Sequence, residues 1–174
     1  MSELETVGAD TDAALLRRAF GCCPSGVAAV CALVGGEPVG MAVSTFTPVS
    51  LAPPLVSICA DRASTTWPKL RSAPTVGVSV LAGTHEVAGR QLAARTGDRF
   101  AGLEIHHGSG GAVHLTGAAA QLECSLHDEV VAGDHTIVVL RVTALAAHHA
   151  TEPLVFHGSR FHRLTTSQGE ASAR

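Results

Sequence analysis

Tyrosine is absent and aromatic residues make up only 3% of the 174-residue chain. The core must therefore be filled by closely packed small aliphatic side chains, and an aromatic left at the surface calls for explanation. Charge is also scarce, at 16% against 46% hydrophobic residues, and a chain with so much apolar surface to bury folds rather than staying disordered. No basic run appears and the formal net charge is −3, so the attraction that drives nucleic-acid binding is missing. No stretch reaches the roughly 18 to 20 apolar residues that span a bilayer. The opening MSELETVGADTD is acidic and polar, where a secretory leader is basic and then apolar. The expectation is a cytoplasmic protein with neither nucleic acid nor membrane as partner.

Recognised chemical signatures are missing too. The five cysteines, Cys22, Cys23, Cys31, Cys59 and Cys124, are odd in number and contain no C-x-x-C, which excludes a disulfide framework or a zinc site. All five read as small buried hydrophobes, with a redox option only for the adjacent pair Cys22 and Cys23. None of the ten histidines falls in a metal-binding spacing, and no metal is assigned. The nearest approach to a dinucleotide fingerprint, Gly108-Ser109-Gly110-Gly111-Ala112-Val113, lacks its last glycine and leads into a strand. It is a loop, not a Rossmann or phosphate-loop site.

The length suits one domain, expected over residues 11–164 with loose tails at 1–10 and 165–174. Asp10 or Thr11 is placed to cap a first helix whose stripe is Leu16, Phe20 and Cys23, stopped by Pro24 and Gly26. Short β-branched runs follow at 27–34, 39–43, 55–60 and 76–81, and later at 113–126, 135–146, 154–157 and 161–164. Gly35-Gly36 marks a tight hairpin between the first two. Short helices are expected after residues 64–66 and over 86–95, the second capped by Thr84. Strands outnumber helices without regular alternation, so the fold class is mainly β: a closed or nearly closed antiparallel barrel with peripheral helices.

Two loops carry the chemistry. Gly40-Met41-Ala42-Val43-Ser44-Thr45-Phe46 ends a strand with two hydroxyls beside backbone N–H groups, which suits the polar edge of a heteroaromatic ring or serves as an ordinary turn. Asp61-Arg62-Ala63-Ser64-Thr65-Thr66 then enters a helix whose first N–H groups are open to a phosphate, or Ser64 or Thr66 simply caps it. His135 follows Gly133-Asp134 at the head of a β-branched strand, either facing an open mouth or bonded to Asp134 as a structural residue.

These stretches resemble the flavin reductase-like family, whose members share an FMN-binding split barrel. The likeness continues through Gly97-Asp98-Arg99-Phe100-Ala101-Gly102-Leu103, Leu122-Glu123-Cys124, Ala132-Gly133-Asp134-His135 and Pro153 to Phe161, covering residues 13–164 in order. The resemblance implies that Met41, Ala42, Val43, Ser44 and Thr45 edge the isoalloxazine, with Cys59, Ala60 and Asp61 continuing that wall. It implies that Ser64, Thr65 and Thr66 take the flavin phosphate and that Phe100 packs near the flavin. His135, with Ser25, Arg160 and Phe161, is placed on the nicotinamide side. Three departures stand out: Cys22-Cys23-Pro24-Ser25-Gly26 replaces an Arg-Phe-(Ala/Pro)-Thr-Gly pattern, Ser44 stands where Asn is usual, and Phe161 where Tyr is usual.

The implied activity is NAD(P)H-dependent flavin reduction, with NADH favoured over NADPH. Hydride passes from nicotinamide C4 to N5 of FAD or FMN without a covalent protein intermediate or a dedicated catalytic residue. Reduced flavin would serve a separate flavin-dependent monooxygenase, and the enzyme would be a homodimer. The alternatives are a non-catalytic flavin-binding or sensor domain on the same barrel and, more weakly, a pyridoxamine-phosphate oxidase-like enzyme.

Overall fold

Alternation along the strands decides the architecture. In the computed structural model, which describes residues 4–8 and 10–164, the elements run α1 (Ala13–Phe20), β1 (Ser25–Gly26), β2 (Ala28–Val34), β3 (Glu37–Val43), β4 (Thr47–Leu51), β5 (Pro54–Asp61), α2 (Trp67–Leu70), β6 (Val76–Val80) and α3 (Glu86–Ala93). They continue with β7 (Ile105–His107), β8 (Val113–Leu115), β9 (Ala120–Ala132), β10 (His135–Ala147), β11 (Leu154–His157) and β12 (Arg160–Arg163). The expected tail 165–174 lies outside the described residues, as do positions 1–3 and 9 of the other.

One seven-stranded antiparallel sheet, in the order β3-β2-β6-β9-β10-β5-β4, forms the barrel, joined by a three-stranded sheet β1-β11-β12 and a β7-β8 ribbon. On β2, Ala28, Val30 and Ala32 face one core with Ile58, Val78 and Leu140, while Ala29 and Cys31 face a second core with Leu81, Leu92 and Leu154. Burial on both faces explains why β2 reads as an unbroken apolar run. The β2–β3 hairpin turns where expected, with Gly35 at φ 63° and Gly36 at φ 89°, a pair of positive angles that only glycine adopts without strain. At the open seam, β3 approaches β5, and the Thr45 hydroxyl spans the gap by accepting the Cys59 N–H at 2.8 Å.

Several expectations are corrected. The cap of α1 is Asp12, whose Oδ1 accepts the Ala14 N–H at 2.9 Å, not Asp10 or Thr11. The stripe of that helix is not buried against its own chain: Leu16 is half-buried, Phe20 is 71% exposed and Cys23 is exposed. Of the five cysteines only Cys31 and Cys124 are buried, both with thiols pushed up to about 12, first by burial. Cys22 and Cys23 are exposed and Cys59 is half-buried. The loop after Phe46 contains a strand, β4, which carries Pro48 at the sheet edge where a missing N–H is tolerated. The run 113–126 breaks into β8 and β9 at Gly117, φ 81°. The N-cap of α3 is His85, not Thr84, and the helix ends at Ala93.

Two histidines tie stability to pH. His85 accepts the Ala82 N–H at Nδ1 (3.2 Å), so Nε2 carries the proton toward the Thr116 carbonyl (3.1 Å). His114 is only 4% exposed and its Nδ1 has no partner. Burial lowers both pKa values below the ordinary 6.5, opposed at His85 by Thr116; at His114, His106 adds to the lowering and Glu123 opposes it. The unfolded chain then takes up protons that the native state refuses. This contribution to stability is intact above about pH 6.5 and is lost as pH falls below it. Urea denaturation should give a falling midpoint as the buffer moves from about pH 7 to about pH 5, with a shallower fall for His114→Gln. Identical slopes for both proteins would contradict this.

Candidate flavin site

A cavity of about 560 Å³ opens at the seam between β3 and β5. Met41 and Val43 turn their side chains into the barrel core, each 8% exposed, so this wall presents backbone more than side chain. The Gly40 carbonyl points off the ladder and accepts Arg99 Nη1 at 2.9 Å. The two-residue repeat of a strand then turns the backbone groups of Ala42 to the same open edge. Ser44 adds an exposed hydroxyl. The Thr45 hydroxyl, by contrast, is engaged by Cys59. Cys59, Ala60 and Asp61 of β5 continue the wall.

The far corner is built differently from the expectation. Ser64 Oγ accepts the N–H groups of both Thr66 and Trp67, each at 3.2 Å, so these first-turn donors are taken. The helix α2 has only four residues, too few for an appreciable dipole. Positive charge comes instead from Arg95 and Arg99, which line the cavity with Ala63, Leu92 and Ala93. None of these five was anticipated as a site residue, although Arg99 lies within the Gly97-Asp98-Arg99-Phe100 motif. Its Nη1 also donates to Thr66 Oγ1 at 2.7 Å, and Thr66 is 7% exposed. One guanidinium thus joins the β3 wall to the corner at the head of α2.

The loop bearing Arg99 is held in place by its neighbours. Gln91 Nε2 donates to the carbonyls of Asp98 and Ala101, and Asp98 Oδ1 accepts the Phe100 N–H at 2.9 Å. Phe100 packs into the second core over Gly40 rather than lining the cavity. A Cβ on Gly40 would stand 2.8 Å from Phe100 Cζ and 2.5 Å from Cys31 Sγ. Glycine is what lets the loop close onto β3.

Strand register brings in His135, which pairs with Asp61 across β10 and β5 and lines the cavity. Its Nδ1 bonds Asp134 Oδ1 at 2.8 Å, which leaves Nε2 for a ligand. The hydrogen bond from His135, then its charge, holds the Asp134 carboxyl below the usual carboxylate range. Ser25, Arg160 and Phe161 do not join the cavity. Ser25 sits on β1 opposite Phe156, and Phe161 packs against Phe156 with the Arg90 guanidinium 4.9 Å from its ring centre. Among the described residues no group of three or more His, Cys, Asp or Glu could hold a metal, and no helix is long and apolar enough to cross a membrane.

Comparison with known proteins identifies the family. The flavin reductase like domain matches residues 20–165, and the chain belongs to that family. It is 38% identical over 167 residues to the NADH-dependent FAD reductase of Streptomyces globisporus, covering 93% of this chain and 91% of that protein. The solved structure of the Streptomyces globisporus NADH:FAD oxidoreductase in complex with NAD and FAD fragments superposes with a TM-score of 0.87 at 38% identity, over 95% of this chain and all of that one. The flavin reductase component of a bacterial two-component tryptophan halogenase gives 0.81 at 32% identity, over 88% of this chain and 98% of that one.

Proposed function

We propose that this chain is an NADH-dependent flavin reductase that binds FAD or FMN in the seam cavity and passes reduced flavin to a separate flavin-dependent monooxygenase. The carrying observation is the pairing, in one cavity, of the outward-facing backbone of Ala42 and the exposed Ser44 hydroxyl with a cationic corner at Arg99 and Arg95. That donor set fits a flavin. Backbone groups and the Ser44 hydroxyl meet the carbonyls and ring nitrogens, and Arg99, Arg95 and the hydroxyls of Ser64 and Thr65 meet the phosphate. When bound, the flavin accepts a hydride at N5 from nicotinamide C4. The protein's part is to hold and orient. Donors at the ring edge favour the added negative charge, and His135 Nε2 positions the nicotinamide at the mouth.

The working unit is a homodimer in this reading. The apolar face of α1 with Phe20, and exposed Leu51, Val131 and Leu145, are surfaces that a second copy would cover. Sedimentation equilibrium should return twice the chain mass, and a monomer would overturn this part.

Steady-state oxidation of NADH, titrated with each flavin, tests the function. Saturable flavin-dependent turnover is expected. Flavin binding without turnover would leave a flavin-binding or sensor domain instead. In the same assay, His135→Ala should raise the KM for NADH about tenfold, the loss of one hydrogen bond with its orientation, and move the flavin KM little. Equal changes in both would count against His135 on the nicotinamide side.

A further inference from the structure

The loop between α3 and β7 turns sharply at Gly97 (φ 92°) and Gly102 (φ 70°). The segment between them is tied back to α3 by one side chain. Gln91 Nε2 donates to the Asp98 carbonyl at 3.2 Å and to the Ala101 carbonyl at 2.9 Å, so its two bonds stand on either side of Arg99 and Phe100. A primary amide is the neutral group that offers two N–H bonds from one nitrogen. Its base is rigid. Leu92, the next residue, is 1% exposed, and Leu92 and Ala88 are both packed in the second core, which fixes the inner face of α3 to the barrel. Arg99 is thus supported at two places: its tip by Nη1 on the Gly40 carbonyl and Thr66 Oγ1, and its backbone by Gln91. Gln91 itself does not line the cavity.

We infer that Gln91 is a positioning residue for the flavin phosphate: without touching the flavin, it clasps the carbonyls on either side of Arg99 and Phe100 and so sets where the guanidinium enters the cavity. This rests on the reductase reading, which brings the flavin phosphate to Arg99. A displaced Arg99 is felt by a phosphate, which FAD and FMN carry and riboflavin lacks. The isoalloxazine rests on the backbone of β3 and β5 and on Ser44, none of which is bonded to Gln91. The nicotinamide is assigned to His135 on β10, also beyond its reach. Gln91 therefore acts on one part of one substrate.

Gln91→Glu keeps the shape and the helix propensity of the side chain but turns a double donor into an acceptor facing two carbonyl oxygens. In steady-state kinetics the KM for FAD and for FMN should rise about tenfold, while those for riboflavin and NADH change less than about twofold. Gln91→Met, of similar length and apolar, removes the donors without adding charge. It should give a smaller rise of the same pattern, and it carries the comparison if Gln91→Glu does not fold. In an Arg99→Ala background, Gln91→Glu should raise the FMN KM less than about a further twofold, because the residue through which it acts is gone. This arm uses FMN alone and does not depend on riboflavin turnover. A merely structural role would move all substrates together and persist without Arg99. Equal rises for FMN and riboflavin, an unchanged KM for both phosphorylated flavins, or an undiminished loss in the Arg99→Ala background would overturn the inference. Absence of turnover with every flavin in the wild type would instead overturn the reductase reading, and this inference with it.

Discussion

Arg99→Ala is expected to lower kcat/KM for FAD and FMN alike by about a hundredfold, or about 2.7 kcal/mol. The substitution removes a cation from the phosphate corner and also strips the partner from two groups that it holds together, the Gly40 carbonyl oxygen and Thr66 Oγ1. Thr66 is almost fully buried, so its hydroxyl has little water to turn to for compensation. Hydrogen bonds to charged groups contribute about 1.5 to 3 kcal/mol each, and a buried group left unpaired costs its desolvation as well. Arg99→Lys should restore only part of the loss. An ammonium keeps the charge but sits on a shorter side chain, and it lacks the further guanidinium nitrogens that stay available to a phosphate while Nη1 serves both acceptors. Flavin kinetics of the two variants, with thermal denaturation as a control for folding, separates these effects. Full activity in Arg99→Ala would remove the guanidinium from the site.

Gly40→Ala is expected to lower both stability and flavin affinity. The added methyl meets Cys31 Sγ at 2.5 Å and Phe100 Cζ at 2.8 Å. Cys31 is fully buried in the second core, so it cannot simply swing away, and overpacking of this kind costs about 1 to 3 kcal/mol. Phe100 is the less buried neighbour, and its displacement lifts the loop that presents Arg99 to the cavity. The flavin KM should rise by about an order of magnitude, alongside a fall in Tm of a few degrees. A second change, Cys31→Ala, opens the space beneath the methyl and should recover part of both. If Gly40→Ala kept wild-type Tm and flavin KM, the close approach of loop and strand would be unimportant.

The residues at which reading the sequence succeeds and fails differ in a physical way. The stretch 40–66 contributes twelve of its members to one cavity, Met41 to Thr45, Cys59 to Asp61 and Ala63 to Thr66, and its hydroxyls and strand ends are visible as local pattern. The β2–β3 hairpin was legible for the same reason, since Gly35-Gly36 is a local signal. Arg95 and Arg99 are different. Their part depends on α3 and its following loop folding back over β3, an approach permitted by Gly40 and by the packing of Phe100, which no local pattern encodes. His135 reaches the mouth through a register that sets it opposite Asp61, and the family likeness rather than its own spacing pointed there. Helix α1 shows a further limit: the 3.6-residue spacing of Leu16, Phe20 and Cys23 reveals an apolar face but not what covers it. Similarly, Ser64 and Thr66 were legible as hydroxyls at a helix start, yet the first closes the turn on itself and the second is held by Arg99.

The most direct measurement is a crystal structure of the protein grown with FAD. The isoalloxazine should lie against the backbone of residues 41–45 and 59–61, with its phosphate within hydrogen-bonding reach of Arg99 and Ser64. A flavin bound elsewhere on the barrel, or one whose phosphate lies away from Arg99, would contradict the assignment of the seam cavity as the place where flavin is held for reduction.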